Sequence, residues 1–393
     1  MNNWYNKKLG EVLNFRRGHD LSRKDMVVGN IPVVGSNGII GYHNEYTTKS
    51  PCITIGRSGN VGLPYRVKKD CWAHNTTLYI DDFKGNDPEF IYYFLHTLNL
   101  DNYRGGSAVP TLNRNHIHPI DVRVPDFPTQ RRIVGILSAL DDKIENNRKI
   151  CETLEQIAQA IFKRWFVDFD FPDEQGLPYK SSGGKMIESE LGMIPEGWGI
   201  GNIGNYAKVK SGFAFKSQWW QEDGISVVKI KSIQNQTINL NEVGYVSEDK
   251  ISLAKEFLVT GGDFLIAMTG ATIGKMGIVP ETESPILVNQ RVGKFFLGDD
   301  PYAKISYLYC LLNQKKIYEK IVGRGDGSAQ PNVSPTQIES IVTTQPTNEL
   351  INKFNKTLRV NFEIWVKLLK ENEILQQTRD TLLPKLMSGE VEV

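Results

Sequence analysis

Residues 4–21 read WYNKKLGEVLNFRRGHDL, and residues 198–215 read WGIGNIGNYAKVKSGFAF. Trp4, Leu9, Gly10, Phe15 and Gly18 meet Trp198, Ile203, Gly204, Val209 and Gly212 at one constant separation of 194. Farther on, residues 104–120 (RGGSAVPTLNRNHIHPI) match residues 325–341 (GDGSAQPNVSPTQIESI) at a separation of 221, with Gly106, Ser107, Ala108, Pro110, Ile117 and Ile120 answered in kind. A repeat of this length means two whole domains related by duplication, not a solenoid. The separation grows by 27 between the matched ends, 17 before the glycine-rich loop of the second copy and 10 after it. The copies therefore share a frame and differ inside it.

Outward from these stretches the chain divides into five parts. Residues 1–128 form a first mixed α+β domain, in which β-rich runs at 31–34, 52–55 and 77–80 alternate with turn clusters such as GSNG and GRSGN. One helix is predicted at 88–98, with Pro88 in its first turn, and its counterpart lies at 302–312. Residues 129–170 carry Ile133, Leu137, Leu140, Ile144, Asn147, Cys151, Leu154, Ala158, Ile161 and Trp165 at alternating spacings of four and three, the seam of a coiled coil. Residues 171–197 are a connector, since Pro172, Pro178, Gly183, Gly184 and Pro195 exclude continuous helix. The second domain spans 198–345. Residues 346–393 repeat the helical stripe through Ile351, Phe354, Leu358, Asn361, Trp365, Leu368, Asn372, Leu375, Arg379, Leu382 and Leu386. The fold class is thus α+β, two duplicated mixed domains joined by two long helices that pair as an antiparallel coiled coil with pseudo-two-fold symmetry. Asn147 and Asn361 are expected in the seam as register-fixing residues. A helix packed only on its own domain is the alternative.

Composition narrows the function. With 40% hydrophobic and 23% charged residues the chain reads as a globular protein. No apolar run reaches membrane-spanning length, so a cytoplasmic, membrane-free protein is expected. Cys52, Cys71, Cys151 and Cys310 lack CxxC spacing, which argues for reduced thiols and no zinc site. The six histidines, all within residues 1–118, form no metal-ligand pattern, and a metal essential to the frame should recur in the second copy. Net charge is only +1, with 15 basic and 12 acidic residues in 1–128 and 15 and 14 in 198–345. A nucleic-acid reader of this composition must confine its positive charge to one face or take phosphate contacts from a partner.

Several segments carry residue types suited to DNA. The loop Thr269, Gly270, Ala271, Thr272, Ile273, Gly274, Lys275 has one residue too few between its glycines for a P-loop and Met276 after the lysine, so it points to a phosphate contact or a structural turn and not to an ATP site. Its equivalent offers Arg57, Ser58 and Asn60. Asn289, Gln290 and Arg291, matched by His74, Asn75 and Thr76, include the side chains that pair bidentately with adenine and guanine, although an asparagine in a turn commonly satisfies its own backbone. The joining segments supply Arg104, Ser107, Asn113 and Arg114 in one copy and Arg324, Ser328, Gln330 and Asn332 in the other, as contacts or as hinges. Lys208, Lys210, Lys229 and Lys231 alternate as basic positions on a strand-like face. Trp219 and Trp220 are expected in the core or an interface. No methyltransferase motif, Rossmann fingerprint or helicase set is present, so no catalysis is expected from this chain.

The arrangement resembles the specificity subunit of type I restriction-modification systems. Besides the duplication, DFP, GLPYKSSGGKM and IPEGW in the connector, MTGATIGKMGI at 268–278, NQRVGKF at 289–295, GSAQPN at 327–332 and LLPKLMSGEV at 382–391 are similar to that family in order and spacing. The first domain departs from the pattern in its shorter glycine loop. The resemblance implies a non-catalytic subunit that reads a two-part double-stranded DNA target, one domain per half-site, with the helix pair setting a gap on the order of 10 bp between centres. It also implies docking of two methyltransferase subunits and of nuclease/translocase subunits, which would bring S-adenosylmethionine, ATP and Mg. No cofactor is expected in this chain. Two other classes stay open: a stand-alone duplicated DNA-binding regulator, and a coiled-coil scaffold that never meets nucleic acid.

Overall fold

The computed structural model describes residues 4–105, 111–325 and 331–393. They fall into two compact units, Met1–Lys143 with Leu375–Val393, and Ile144–Ile374. Both long helices cross the division: residues 127–143 and 375–388 lie in the first unit, and residues 144–162 and 348–374 in the second.

In the first unit, strand Trp4–Lys8 pairs antiparallel with Asp121–Pro125, which closes the domain at its ends. A four-stranded sheet runs in the order Asn14–Arg17, Thr77–Asp82, Cys52–Gly56, Pro64–Val67, and a three-stranded sheet runs Gly38–His43, Ile31–Gly35, Trp72–Ala73. The short helix covers Pro88–Leu95 and not 88–98. The Asp87 carboxylate caps it by accepting from the Glu89 and Phe90 amides at 2.9 and 3.2 Å, and Pro88 supplies the preset first turn. The helix ends early because the chain turns at 96–98 and enters a left-handed Asn99, φ 46°. Its buried face, Phe90, Ile91, Phe94 and Leu95, packs with Leu9, Phe15, Ile133, Leu137, Leu386 and Met387, and each such side chain stabilises by about 1.5–3 kcal/mol. One expectation is corrected here. Cys52 and Cys71 form a disulfide, brought together across the strand ends by chain packing that their 19-residue separation does not signal, while Cys151 and Cys310 are free and buried.

The second unit holds a six-stranded sheet in the order Lys208–Ser211, Val292–Phe296, Phe264–Ala267, Met276–Ile278, Thr237–Ile238, Ile233–Gln234. Beside it is a five-stranded sheet, Trp220–Gln221, Gly244–Val246, Ile225–Val228, Ile286–Val288, Leu258–Val259. Its short helix is Ile305–Leu312, preceded by a 3-10 turn Pro301–Ala303. The connector is an ordered strap. Met186–Ser189 pairs with Gly192–Pro195, and Phe171 stacks on Tyr179 and on Trp198 with ring centroids 4.6 and 5.6 Å apart.

The central helix spans Phe127–Phe162, ends in a π-type turn at Lys163–Val167, and the terminal helix spans Asn348–Ser388. Within the first unit Arg132 meets Val393 and Arg379 meets Asp141, and within the second Asn147 meets Asn372 and Phe162 meets Phe354. One number rises as the other falls, so the helices pair antiparallel in both units. The seam residues Ile133, Leu137, Ile144, Asn147, Cys151, Ala158 and Trp165 are buried as expected. Asn361 is not: it is half-buried, and Phe362 takes the inner position. The buried polar layer is instead Asn147 with Asn372, whose amide and carbonyl lie 3.0 Å apart, with Glu371 accepting a second bond at 2.7 Å.

Beneath their different outlines the units repeat one register. Phe15 pairs with Ile80 and Val209 with Phe295; Thr54 pairs with Tyr79 and Leu265 with Lys294. Val33 lies beside Trp72 in parallel, as Val227 lies beside Leu287. The Leu9 amide donates to Ile120, and the Ile203 amide to Ile341, at 2.9 and 3.1 Å.

Candidate nucleic-acid interface

Two isolated bridges gather the loops at the end of each sheet. His19 bridges His74 and Ser58 bridges Thr111 in the first unit; Phe213 bridges Asn289 and Thr269 bridges Asn332 in the second. Ser58 and Thr269 are 211 apart, which is 17 more than 194 and locates the expected excess ahead of the glycine loop. The close approach in each unit is made by a glycine. A Cβ on Gly18 would run into the His74 carbonyl, and one on Gly212 into the carbonyls of Val288 and Asn289.

The structure thus joins three of the segments singled out from sequence: the glycine loop, the 74–76 or 289–291 turn, and the start of the joining segment. In the first unit the Arg57 and Ser58 amides donate to the Thr76 carbonyl at 2.8 and 3.3 Å, and the Leu112 amide donates to Arg57. The hairpin turn at Ser36 and Asn37, which sequence reasoning passed over, also belongs to this group, since the Ser36 amide donates to the Thr76 hydroxyl at 3.3 Å. Its GSNG pattern signals a turn and carries no mark of this contact. In the second unit the Met268 amide donates to Arg291, and the Gly270 amide to Pro331, at 3.1 and 2.8 Å. The Thr269 hydroxyl donates to Asn332 at 3.0 Å.

Individual side chains separate into occupied and free. His74 is held by both ring nitrogens, at 3.0 Å from the Thr76 hydroxyl and 3.1 Å from the Leu21 carbonyl. The Asn75 amide donates to Asp20 and holds that carboxyl below its usual range, with Arg17 adding to the effect. Asn113 caps the short helix Arg114–Ile117, and the Arg114 guanidinium donates to the Phe15 carbonyl at 3.3 Å. Arg104 folds back on Asp101, and Arg324 donates to the Gln337 carbonyl and the Ser340 hydroxyl. Ser107, Ser328 and Gln330 lie outside the described residues.

Lys208 and Lys210 share the exposed face of the strand Lys208–Ser211, as their alternation predicts, but both are ion-paired, and the second lysine pair is not on a strand. Lys208 pairs with Glu339, Lys210 with Glu256 and Lys231 with Glu242. Lys229 and Lys231 sit at a 3-10 turn, Ile230–Ser232, and not on a strand. The Lys229 ammonium lies 3.8 Å from the Trp220 ring centroid, and burial with the neighbouring Lys231 charge pulls its pKa down. Trp219 and Trp220 pack around Phe213 and Phe215, as expected of core residues. Among the described residues Arg57, Lys275 and Arg291 carry no ion pair. Lys275 lines a cleft of ≈ 460 Å³ with Gln234, Asn235, Tyr309 and Asn313; Asn60 of the first unit lines one of ≈ 300 Å³ with His96, Asn99 and Arg104. The glycines of the loop, Gly270 and Gly274, have φ of 71° and 83°, as Gly59 and Gly62 have 83° and 81°. The described residues contain no cluster of His, Cys, Asp or Glu able to hold a metal.

Comparison with known proteins agrees with this architecture. The family model for the type I restriction modification DNA specificity domain matches residues 1–156 and 195–349. The specificity subunit of the type I restriction enzyme MjaIX from Methanocaldococcus jannaschii is 26% identical over 313 residues, covering 78% of this chain and 69% of that one. That of HindI from Haemophilus influenzae is 27% identical over 371 residues, covering 77% of each. A crystal structure of the type I restriction-modification S subunit from M. genitalium has the same fold, with a TM-score of 0.61 at 18% identity over 98% of this chain and 96% of that one. With both halves matched and the duplicated frame intact, the chain belongs to the type I restriction-modification DNA specificity family.

Proposed function

We propose that each unit reads one short segment of a two-part double-stranded DNA target and that the chain performs no chemistry itself. The observation that carries this reading is the pair of register-matched frames, which offer the same loop group with different side chains. One frame used twice with different loops is what recognition of two unlike half-sites requires. The glycine loops, with Arg57, Ser58 and Asn60 or Thr269, Gly270, Thr272 and Lys275, supply backbone contacts. The turns at His74 and Asn75 or Asn289, Gln290 and Arg291 face the bases. Arg104, Asn113, Arg114 and Arg324, with Ser107, Ser328 and Gln330, serve the junctions between loop group and helix.

Partners supply a share of the binding in this reading. Lys208, Lys210 and Lys231 each lie beside a carboxylate and the net charge is only +1, so in this reading other chains add phosphate contacts. Methyltransferase subunits that bind S-adenosylmethionine are those partners, one per reader, with nuclease/translocase subunits using ATP and Mg joining them. Support comes from the outer helix faces: Ile150 and Ile157, one heptad apart, and Val360 and Ile364 are exposed, a second apolar stripe suited to a helical partner. No helix among the described residues is long and apolar enough to cross a membrane.

Gel-shift titration of the full chain on its target, with and without the methyltransferase subunits, tests this reading. Weak binding alone and tight, sequence-specific binding in the complex is the expected result. Tight specific binding by the chain alone would point to a self-sufficient regulator, and a complex blind to DNA would point to a scaffold.

A further inference from the structure

Two turns leave the three-stranded sheet of the first unit side by side. Strand Ile31–Gly35 runs parallel to Trp72–Ala73, with Val33 beside Trp72 and Val34 beside Ala73. Both strands therefore end at the same edge, where Gly35 leads into the hairpin turn Ser36 and Asn37, and His74 opens the turn that closes at Thr77. The His74 amide donates to the Val34 carbonyl at 2.9 Å and fixes the two at one level. Neighbouring strands stand about 4.8 Å apart, so the hairpin tip is roughly one strand's width from the 74–77 turn. The glycine loop meets the tip as well: a Cβ on Gly59 would lie 3.1 Å from the Ser36 hydroxyl, and one on Gly56 3.4 Å from the Ser36 Cβ.

Beside the tip, the side chains of the 74–77 turn are committed. His74 is held through both ring nitrogens, Asn75 donates to Asp20, and the Thr76 hydroxyl accepts from the Ser36 amide. Asn37 is exposed, and among the described residues its side chain has no hydrogen bond. The turn that carries it has two residues only, closed by the Gly35–Gly38 pair with Gly38 at φ 95°. Its amide is thus displayed on a stiff support and loses little freedom on binding. Ile39 and Ile40, next along the strand, are 43% and 39% exposed. A free carboxamide beside exposed apolar side chains matches the major-groove edge of A·T pairs, where adenine offers N6 and N7 and thymine its methyl group. A phosphate contact would call for a cation at the tip, and residues 36–40 contain none.

We propose that Asn37 is a specificity-determining residue of the first unit, reading an adenine in its half-site, with Ile39 and Ile40 against a thymine methyl beside it. This rests on the DNA-reading function proposed above. The second unit has no such tip, because Ile225–Val228 and Gly244–Val246 are joined through residues 229–243, so the contact belongs to the first half-site alone.

The test uses the chain assembled with its methyltransferase subunits and duplexes in which each base pair of both half-sites is replaced in turn. Asn37→Ala should abolish the preference at one A·T pair, a loss of roughly tenfold to a hundredfold in discrimination, while every other position keeps its own. Asn37→Asp, nearly equal in size, should lose the same preference, because a carboxylate cannot donate to N7. Uracil in place of thymine deletes only the methyl group and should weaken the wild-type complex about fourfold at one position, an effect that Ile39→Ala with Ile40→Ala removes. Hydrogen exchange across Ile31–Gly35 and Gly38–His43 verifies that the hairpin is intact. Unchanged discrimination by the Asn37 variants would overturn the assignment, as would equal weakening on every duplex, which marks a backbone contact. Indifference of the wild type to uracil at every position would overturn the apolar contact. A wild-type complex with no sequence preference would instead bring down the function on which the assignment stands.

Discussion

The hairpin before the glycine loop separates the two units most clearly. In the first, Ile31–Gly35 turns back on Gly38–His43 through Ser36 and Asn37 alone, with Val33 opposite Gly41. In the second, Val227 lies opposite Gly244, and residues 229–243 between the strands fold into a 3-10 turn and the added pair Ile233–Gln234 and Thr237–Ile238. That pair extends the main sheet beyond Met276–Ile278, whose counterpart Pro64–Val67 is an edge strand. The Gly277 backbone admits Thr237 where the first unit carries Tyr65. The lesson is that length is gained at a turn tip while every paired position beneath it stays in register, because a one-residue slip within a sheet would turn its buried side chains outward.

Four expectations test how far that separation of frame and loop extends. The largest effect belongs to the frame. Gly18→Val and Gly212→Val each place a side chain against a carbonyl, and each should cost about 3 kcal/mol or more. Hydrogen exchange on the intact chain should show protection lost in the mutated unit alone; loss in both would mean that the units do not hold their frames independently. Next comes the buried polar layer. The Asn147 side-chain oxygen has no partner, so Asn147→Leu combined with Asn372→Leu should raise helix stability by about 1–2 kcal/mol, seen as a higher urea midpoint. Destabilisation would show the layer to be better satisfied than its geometry indicates.

Smaller effects sharpen the contrast between loops. Thr269→Val removes the bond to Asn332 and should cost about 1 kcal/mol, whereas Ser58→Ala in the matching bridge should stay within about 0.5 kcal/mol, both by denaturant titration. Equal costs would remove the distinction. The last concerns acid. Burial lowers the pKa of His96, with Arg379 adding to it, and burial then Arg114 lower that of His118, whose ring nitrogen must stay unprotonated to accept from the Phe15 amide at 3.1 Å. The unfolded chain takes up these protons first, near the ordinary value of 6.5, so stability held at higher pH is lost as pH falls from there toward the folded values. Hydrogen exchange at about pH 7.5 and about pH 5.5 should weaken the sheet around Phe15 more than that around Val209, since the second unit has no histidine.

Much of this was legible because duplication and heptads are long-range patterns. Trp4 with Trp198 and Gly18 with Gly212 marked one end of the frame, and the seam from Ile133 to Trp165 marked the helix that follows it. What was hidden depends on which side chain finds which partner. Nothing local tells that Lys208 is taken by Glu339, 131 residues away, or Lys231 by Glu242. The choice of Asn372 over Asn361 follows from helix pairing, which places Phe362 in the layer the heptad count gave to Asn361. Cys52 and Cys71 meet only because the strands between them fold back. Residue type alone picks out the turn at 74–76, but that Asn75 is occupied follows from Asp20, more than fifty residues upstream.

The central claim is that one frame serves as two independent readers. Replacing residues 1–128 with the corresponding stretch of another family member, in a strain that supplies the methyltransferase subunits, and sequencing the methylated bases of its genome tests this directly. The account expects one half of the modified target to change while the other half is retained. A change in both halves would contradict it.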